Sequence, residues 1–227
     1  IVAGITVICI YYLMENIALT LTQASNISVI VSIAPIFTGI LAHFFLEGEK
    51  MKKSIVLGFV CAMAGICLIT FQKGETVELN PLGDFLGVAA AAIWGVYSIC
   101  SRKIAGFGYD TIITTRRTFF YGILFMLCAL PFMDFHLSLS ALLKPVNLGN
   151  IIYLGVGASA ICFVTWNYAV KSLGATRASV YIYGIPVVTI LMSIPLLHEV
   201  ITFQAMAGTV LTLVGLLISE WPFSPKK

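Results

Sequence analysis

Apolar residues along the chain form eight runs, each about twenty residues long and separated by short polar or charged stretches. A helix of about 20 apolar residues crosses the ~30 Å hydrocarbon core of a bilayer and satisfies its own backbone hydrogen bonds there. The runs lack the alternation of barrel strands, so we predict eight transmembrane helices. They are Ile1–Leu21, Asn26–Leu46, Ser54–Phe71, Leu82–Arg102, Ile112–Phe132, Gly149–Val170, Thr176–Leu197 and Thr202–Trp221.

Composition supports the membrane class. The 227 residues are 59% hydrophobic and only 10% charged, with a mean hydropathy of +1.01, whereas a soluble domain carries about 25% charged residues. A nucleic-acid binder would need its net charge of +3 on one solvated face, so we exclude nucleic acid as a partner. All six cysteines lie inside apolar runs, which is untypical of a secreted disulfide scaffold.

The positions of Lys and Arg predict the orientation, because cytoplasmic loops accumulate them. Of 13 such residues, eleven lie on the side of the C-terminus, which places that terminus in the cytoplasm. These are Lys50, Lys52, Lys53, Arg102, Lys103, Arg116, Arg117, Lys171, Arg177, Lys226 and Lys227. The opposite side has Lys73 and Lys144. The chain begins within an apolar run, so we expect it to be a piece of a longer protein.

An internal repeat links the first three spans to the last three. At an offset of 151, the residues that match are Asn16, Ala18, Ala24, Ser28, Val29 and Pro35 with Asn167, Ala169, Ala175, Ser179, Val180 and Pro186. At an offset of 150, Glu49, Gly58, Val60 and Gly65 match Glu199, Gly208, Val210 and Gly215. Matching segments are five spans apart, and five is odd, so the second copy crosses the membrane in the opposite direction. Inverted repeats are a common construction of secondary transporters.

The repeated segments resemble a known family. The stretch ALTLTQASNISVIVSIAPIFTGILAHFFLEGE with GFVCAMAGICLI, and its counterparts AVKSLGATRASVYIYGIPVVTILMSIPLLHE and GTVLTLVGLLIS, are similar to helices of EamA-type transporters in the drug/metabolite transporter superfamily. GDFLGVAAAAIWGVYSICSRKI resembles the helix that opens the second repeat.

The resemblance implies an all-α, ten-helix bundle of two inverted five-helix repeats in a bacterial inner membrane, with both termini cytoplasmic. Residues 1–71 would then be the last three helices of the first repeat and residues 82–221 the second repeat. It also implies a lipid environment and the export or import of small metabolites, of which we expect export of an amino acid or a similar molecule. We predict no cofactor. No oligomeric state follows from the resemblance.

Glu15 is a carboxylate well inside a predicted span, on one helix face with Tyr12 and Asn16. An ionisable group at such depth is costly and usually faces a cavity. We expect Glu15 to bind a substrate amine or a coupling proton; the alternative is that it reaches water at the nearer interface.

Two prolines are predicted to kink their helices, because each lacks a backbone donor. Pro35 lies at helical spacing from Ser32, and Pro186 lies at helical spacing from Tyr183. We expect these repeat-related faces to meet across a central cavity, although kinks that only improve packing remain an alternative.

Aromatic and amide side chains on two further spans are the remaining candidates for substrate binding. They are Trp94, Tyr97, Trp166 and Asn167, and the alternative for the aromatic rings is ordinary packing. His43 and His198 have no partner ligands at metal spacing. Glu49 and Glu199, just before spans, are interpreted as helix caps.

Two other classes of protein were weighed. Gly157-Ala158-Ser159-Ala160 resembles the serine turn of intramembrane proteases, and the segment around Asp110 resembles the aspartyl type. A serine nucleophile needs a base within reach, and no later span has a His at mid-depth, so we do not predict an enzyme. A non-transporting membrane scaffold stays an alternative, for which polar and kinked positions would not converge.

Overall fold

The computed structural model describes residues 1–22, 24–70, 80–132, 139–185, 187–188 and 202–221. The described residues are helical, with no strand among them. The helices are α1 (Val2–Leu21), α2 (Ala24–Val31), α3 (Ala34–Phe45), α4 (Lys53–Thr70), α5 (Pro81–Gly106), α6 (Thr111–Ala129), α7 (Leu139–Leu142), α8 (Pro145–Leu173), α9 (Ala175–Val180) and α10 (Phe203–Glu220). Short 3₁₀ turns follow α6 and α9, at Leu130–Phe132 and Tyr181–Tyr183.

Seven helices in the described part of the chain are long and apolar enough to cross a membrane, with α2 and α3 counted as one. They correspond to seven of the eight predicted spans. The predicted span Thr176–Leu197 is described only over its first part, since residues 186 and 189–200 lie outside the described residues.

Capping residues set the starts of two helices, each one residue before the start of the predicted span. Asn80 accepts hydrogen bonds from the N–H groups of Leu82 and Gly83 at 3.2 and 3.1 Å, so α5 begins at Pro81. Asp110 accepts one from the Ile113 N–H at 3.0 Å and caps α6. Asx side chains at this position satisfy N–H groups that the helix leaves unpaired.

The second predicted span has a two-residue turn at Ser32 and Ile33, directly before the helix that carries Pro35. Helix α2 ends at Val31 and α3 begins at Ala34, directly before Pro35. Proline has no N–H to donate and is tolerated in the first turn of a helix, which is where Pro35 lies in α3. The N–H groups of Ser32 and Ile33 stay bonded to the Ser28 and Ile30 carbonyls, and the Ser32 hydroxyl also donates to the Ser28 carbonyl at 2.7 Å.

Two long helices contain π-helical stretches, Ile5–Tyr11 in α1 and Tyr153–Ile161 in α8. Such wide turns are rare and often occur at functional sites. The stretch in α1 packs against α6, where a Cβ on Gly4 would lie 2.9 Å from the Gly122 nitrogen. The stretch in α8 has no fully buried residue in the described structure.

Glycines let α4 and α10 pack with their backbones in contact. A Cβ on Gly215 would lie 2.7 Å from the Gly58 carbonyl oxygen, and a Cβ on Gly208 would lie 2.7 Å from the Gly65 oxygen. The lower-numbered glycine of each helix therefore meets the higher-numbered one of the other, so the two helices are antiparallel. Small residues are what permit such close approach between membrane helices.

Helix α5 has a small-residue face that packs along α1, α2 and α3. A Cβ on Gly83 would lie 3.1 Å from the Leu21 Cβ, and one on Gly87 would lie 3.0 Å from Ile27 Cδ1. Further along, a Cβ on Gly95 would lie 3.2 Å from the Thr38 nitrogen. The opposite face of α5 is thereby directed towards α6 and α8, where the candidate site lies.

Candidate functional site

Aromatic side chains from four helices meet where α1, α5, α6 and α8 pack together. Trp94 lies at the centre: its ring centroid is 5.2 Å from Tyr11, 5.2 Å from Trp166 and 5.8 Å from Phe163. These tilted, edge-on geometries are favourable for aromatic pairs. We define the aromatic cluster as Tyr11, Tyr12, Trp94, Tyr97, Phe119, Phe163 and Trp166.

Helical spacing explains why these residues share one face. On α5, Trp94 and Tyr97 are three residues apart, and on α8 the same spacing separates Phe163 from Trp166. Residues three or four apart lie on the same side of a helix. Tyr97 is only 1% exposed, so its ring is enclosed by the other members of the aromatic cluster.

Asn167 is the polar centre beside the aromatic cluster. Its Oδ1 accepts hydrogen bonds from the Tyr97 hydroxyl at 2.9 Å and the Ser101 hydroxyl at 2.6 Å. Its Nδ2 donates to the Thr115 hydroxyl oxygen at 2.9 Å. One amide therefore joins α5, α6 and α8, as interhelical hydrogen bonds do in membrane proteins.

A small cavity lies next to this amide, with a volume of about 20 Å³. Its lining includes Tyr97, Ser101, Tyr109, Thr118 and Asn167. A polar cavity of this size holds one water molecule.

Two donors in the aromatic cluster have no acceptor in the part of the chain that the structure describes. The indole nitrogens Nε1 of Trp94 and Trp166 are buried and make no hydrogen bond within the described part of the chain. Their rings contact each other. A buried donor without a partner costs about 1–3 kcal/mol, so the cluster has hydrogen-bonding capacity that the described protein residues leave unused.

Glu15 lies at the edge of the aromatic cluster. It accepts a hydrogen bond from the Tyr11 hydroxyl at 2.7 Å, and the Tyr11 ring in turn contacts Trp94. Glu15 is partly exposed. A carboxylate is thus attached to the aromatic cluster through a phenol.

The structure does not bring all the predicted residues together. Asn16 is exposed and donates to the Tyr12 carbonyl of its own helix at 2.7 Å. Tyr183 is fully buried in a different cluster, with Ala62, Ile66 and Val180, and its hydroxyl has no partner in the described structure.

Ser32 and Pro35 are buried at the turn between α2 and α3, and neither belongs to the aromatic cluster. Pro186, Glu199 and His198 lie outside the described residues.

Several residues of the site were missed by sequence reasoning. Tyr11 is four residues from Glu15, and Ser101 is four residues from Tyr97, so helical spacing could have indicated both. Thr115 and Phe163 carry no comparable signal, because a threonine or phenylalanine in an apolar helix is ordinary.

The interpretation of Glu49 needs a correction. The sequence suggests that it caps the helix that follows it, but its carboxylate accepts from the N–H groups of Ala175 and Thr176 at 3.1 and 2.9 Å. It therefore caps α9, some 126 residues away. The turn between α3 and α4 carries Glu49 to the start of α9, and local sequence does not reveal that.

The fold and the site together define a polytopic helical membrane protein with a buried aromatic and amide site between helices. A family model described as the EamA-like transporter family matches residues 1–71 and 81–221. The chain belongs to this family of transporters.

Individual relatives are also named as transporters. The chain is 30% identical over 216 residues to an uncharacterized transporter of Archaeoglobus fulgidus, covering 95% of this chain and 74% of that protein. It is 28% identical over 224 residues to the uncharacterized transporter YyaM of Bacillus subtilis, covering 97% and 72%. It is 27% identical over 215 residues to a probable terminal-alkyne amino-acid exporter of Streptantibioticus cattleyicolor, covering 95% and 70%.

A solved crystal structure has the same fold. It aligns with a TM-score of 0.80 over 96% of this chain and 75% of its own, at 22% identity. At that identity the similarity describes the fold alone.

Proposed function

We propose that the chain forms the larger part of a secondary-active transporter that exports small metabolites such as amino acids. Residues 1–71 supply the last three helices of one repeat and residues 82–221 the five helices of the other. The two repeats rock against each other around the aromatic cluster and expose it to each side of the membrane in turn.

The observation that carries this proposal is the pair of buried indole donors on Trp94 and Trp166, which have no acceptor among the described residues. A carboxylate or carbonyl oxygen of a substrate would accept from them and remove the cost of leaving them buried. The surrounding rings offer flat apolar surface for the rest of a small molecule. The name of the relative from Streptantibioticus cattleyicolor supports an amino acid as the class of substrate.

The described conformation is closed at this site. The rings contact one another, and the neighbouring cavity has only about 20 Å³, whereas small-molecule pockets have about 300–1,000 Å³. The helices that carry Trp94 and Trp166 must therefore separate before a substrate enters. A separation of α5 from α8 would also stretch the hydrogen bonds of Asn167 to Tyr97 and Ser101.

Glu15 is the proposed site for a substrate amine or for a coupling proton. Its link to Tyr11 places it beside the aromatic cluster without filling it. A substrate that has an ammonium group and a carboxylate would bind Glu15 through its ammonium group and the indole donors through its carboxylate.

The antiparallel contact of α4 with α10 supports the inverted repeat. Gly58 and Gly65 of α4 are the sequence counterparts of Gly208 and Gly215 of α10, and each packs against the counterpart of the other. A two-fold axis in the membrane plane produces this reciprocal pattern.

The test is a counterflow assay in proteoliposomes that contain the complete transporter of which this chain forms the larger part, with a panel of radiolabelled proteinogenic amino acids. At least one should exchange above protein-free vesicles, and Trp94→Ala should reduce that exchange by about tenfold or more through loss of stacking and of a donor. Tyr168→Ala is the matched control, because Tyr168 is 44% exposed on the outer face of α8. Failure of every amino acid to exchange with folded protein would contradict the proposal.

Glu15→Gln separates the two roles of Glu15. If Glu15 carries a coupling proton, the variant should keep counterflow but lose export driven by a pH gradient. If it binds the amine, both activities should fall. Wild-type behaviour in both assays would remove Glu15 from the mechanism.

A further inference from the structure

A second polar constellation lies far from the aromatic cluster, at the end of the bundle where most basic residues occur. Three segments meet there: the turn after α3 with Glu49, the last turns of α5 with Arg102, and the Gly174 turn between α8 and α9. Arg102 Nε is 3.0 Å from Glu49 Oε1. We call Glu49, Arg102 and the Gly174 turn the clasp.

The charges of the clasp match the helix ends that they touch. Glu49 accepts from the Ala175 and Thr176 N–H groups and from the Thr176 hydroxyl, at 3.1, 2.9 and 3.0 Å. These lie at the positive N-terminal end of α9. Arg102 Nη1 donates to the carbonyl oxygens of Val170 and Lys171 at 3.3 and 2.7 Å, at the negative C-terminal end of α8.

Gly174 is required for this arrangement. Its φ of +92° lies in a region that other residues rarely adopt, and a Cβ there would be 2.7 Å from Glu49 Oε1. A glycine also has no side chain with which to cap α9. Glu49 therefore supplies from another segment the cap that the local sequence lacks.

The clasp can open without breaking a helix. Glu49 lies in the irregular segment between α3 and α4 and can withdraw while both helices stay intact. Its side chain is 14% exposed and that of Arg102 is 36% exposed, so both are near water. The clasp also forms part of the wall of an open cavity of about 560 Å³, lined in addition by Lys52, Arg177 and Val180. Water there can solvate the N–H groups that Glu49 would leave.

We propose that the clasp is the latch of the cytoplasmic gate. It ties the first repeat, through Glu49, to three helix ends of the second repeat, and it breaks when the cytoplasmic end of the transporter opens. The inference rests on the alternating-access function proposed above. Glu49 and Arg102 would then control the equilibrium between the open and closed states without contacting the substrate.

The test measures accessibility rather than transport. Val180 is 1% exposed and lines the cavity next to the clasp. In a version with the six native cysteines replaced by alanine, Val180→Cys is labelled with a membrane-impermeant maleimide from the cytoplasmic side. Glu49→Gln should raise the labelling rate by about tenfold or more, because bonds to a charged group are lost. Glu47→Gln, in the same cavity wall and exposed, should leave the rate unchanged.

A second site separates gating from general loosening. Ile27 is 3% exposed and packs on Gly87 near the other end of the bundle. The labelling of Ile27→Cys should not rise with Glu49→Gln. A rise at both positions would show that Glu49 only stabilises the fold, and a rise at neither would show that it does not hold the gate; either result overturns the proposal.

Arg102→Gln tests whether the two charges act as one latch. It should raise Val180→Cys labelling as Glu49→Gln does, and the double variant should raise it no further than the stronger single change. If the increases in labelling rate from Glu49→Gln and Arg102→Gln multiplied in the double variant, the two residues would act independently and would not form one latch. Labelling needs no substrate, so its result is independent of the counterflow assay. If the labelling rates change as expected but no amino acid exchanges, the proposed transport is contradicted and the clasp is not. If amino acids exchange but the labelling rates do not change, the clasp is contradicted and the proposed transport is not.

Discussion

At the scale of single residues, the environment of a polar side chain depends on the helices that surround it. Asn16 and Asn167 are counterparts in the repeat, yet Asn16 is exposed and bonded to its own helix, whereas Asn167 is buried and bonded to three hydroxyl groups. Those hydroxyls belong to α5 and α6. The described residues place no corresponding pair of helices over Asn16.

This difference gives a matched pair of substitutions. Asn167→Leu removes three interhelical hydrogen bonds, which are worth on average about 0.6 kcal/mol each in membrane proteins, so it should destabilise the chain by about 2 kcal/mol. Asn16→Leu removes only a bond within its own helix and should change stability by less than about 0.5 kcal/mol. Equilibrium unfolding in mixed detergent micelles would measure both, and equal losses would contradict the central position of Asn167.

Polarity within an apolar helix was enough to single out Glu15, Trp94 and Asn167 from the sequence. It did not show which helix would supply their partners, because the bonds of Asn167 reach residues 52 to 70 positions away. Contacts at such separations depend on how the helices are arranged, which one sequence does not encode in any local pattern. The partner of Glu49 was misjudged for the same reason.

At the scale of helices, hydropathy predicted the described spans because a bilayer-spanning helix must be apolar along its length. Hydropathy did not predict the π-helical stretches Ile5–Tyr11 and Tyr153–Ile161, since a change of hydrogen-bond partner leaves composition unchanged. It also did not show that the irregularity at Pro35 is a two-residue turn between α2 and α3.

The α4 and α10 pair has a contact that can be trapped chemically. The Cys61 thiol lies 3.5 Å from the Leu211 carbonyl oxygen, and the two residues are repeat counterparts 150 positions apart. We expect Leu211→Cys to form a disulfide with Cys61 under mild oxidation, because the glycine seam holds the two backbones close. Cross-linking would be read as a mobility shift after proteolysis between the helices.

Two controls define this result. Val210→Cys is one position away and 57% exposed, so it should cross-link poorly with Cys61. Gly65→Val added to Leu211→Cys should reduce the cross-link, since its side chain would overlap the backbone around Gly208. Efficient cross-linking from Val210 instead of Leu211 would mean that the helix faces are rotated from those described.

At the scale of the whole molecule, positions that the proposed repeat makes counterparts differ in how closely other helices cover them. Gly4 in α1 packs tightly on α6, and its counterpart at an offset of 151, Gly155 in α8, has nothing within 4 Å in the described structure. Asn16 is likewise exposed in the described structure. We propose that both uncovered positions mark where two further helices of the first repeat pack in a ten-helix transporter.

The orientation in the membrane can be measured directly. Because Lys and Arg accumulate on the cytoplasmic side, we expect the turn after α3 and the Gly174 turn to lie on that side and the start of α5 to lie on the opposite side. Cysteines placed in a cysteine-free version at Lys52 and Arg177 should therefore react with an impermeant maleimide only from the cytoplasmic face, and one at Leu82, which is 60% exposed, only from the other. Inside-out and right-side-out vesicles supply the two faces. Reaction of Lys52→Cys and Leu82→Cys from one face would rule out the inverted repeat, and with it the gate assigned to the clasp.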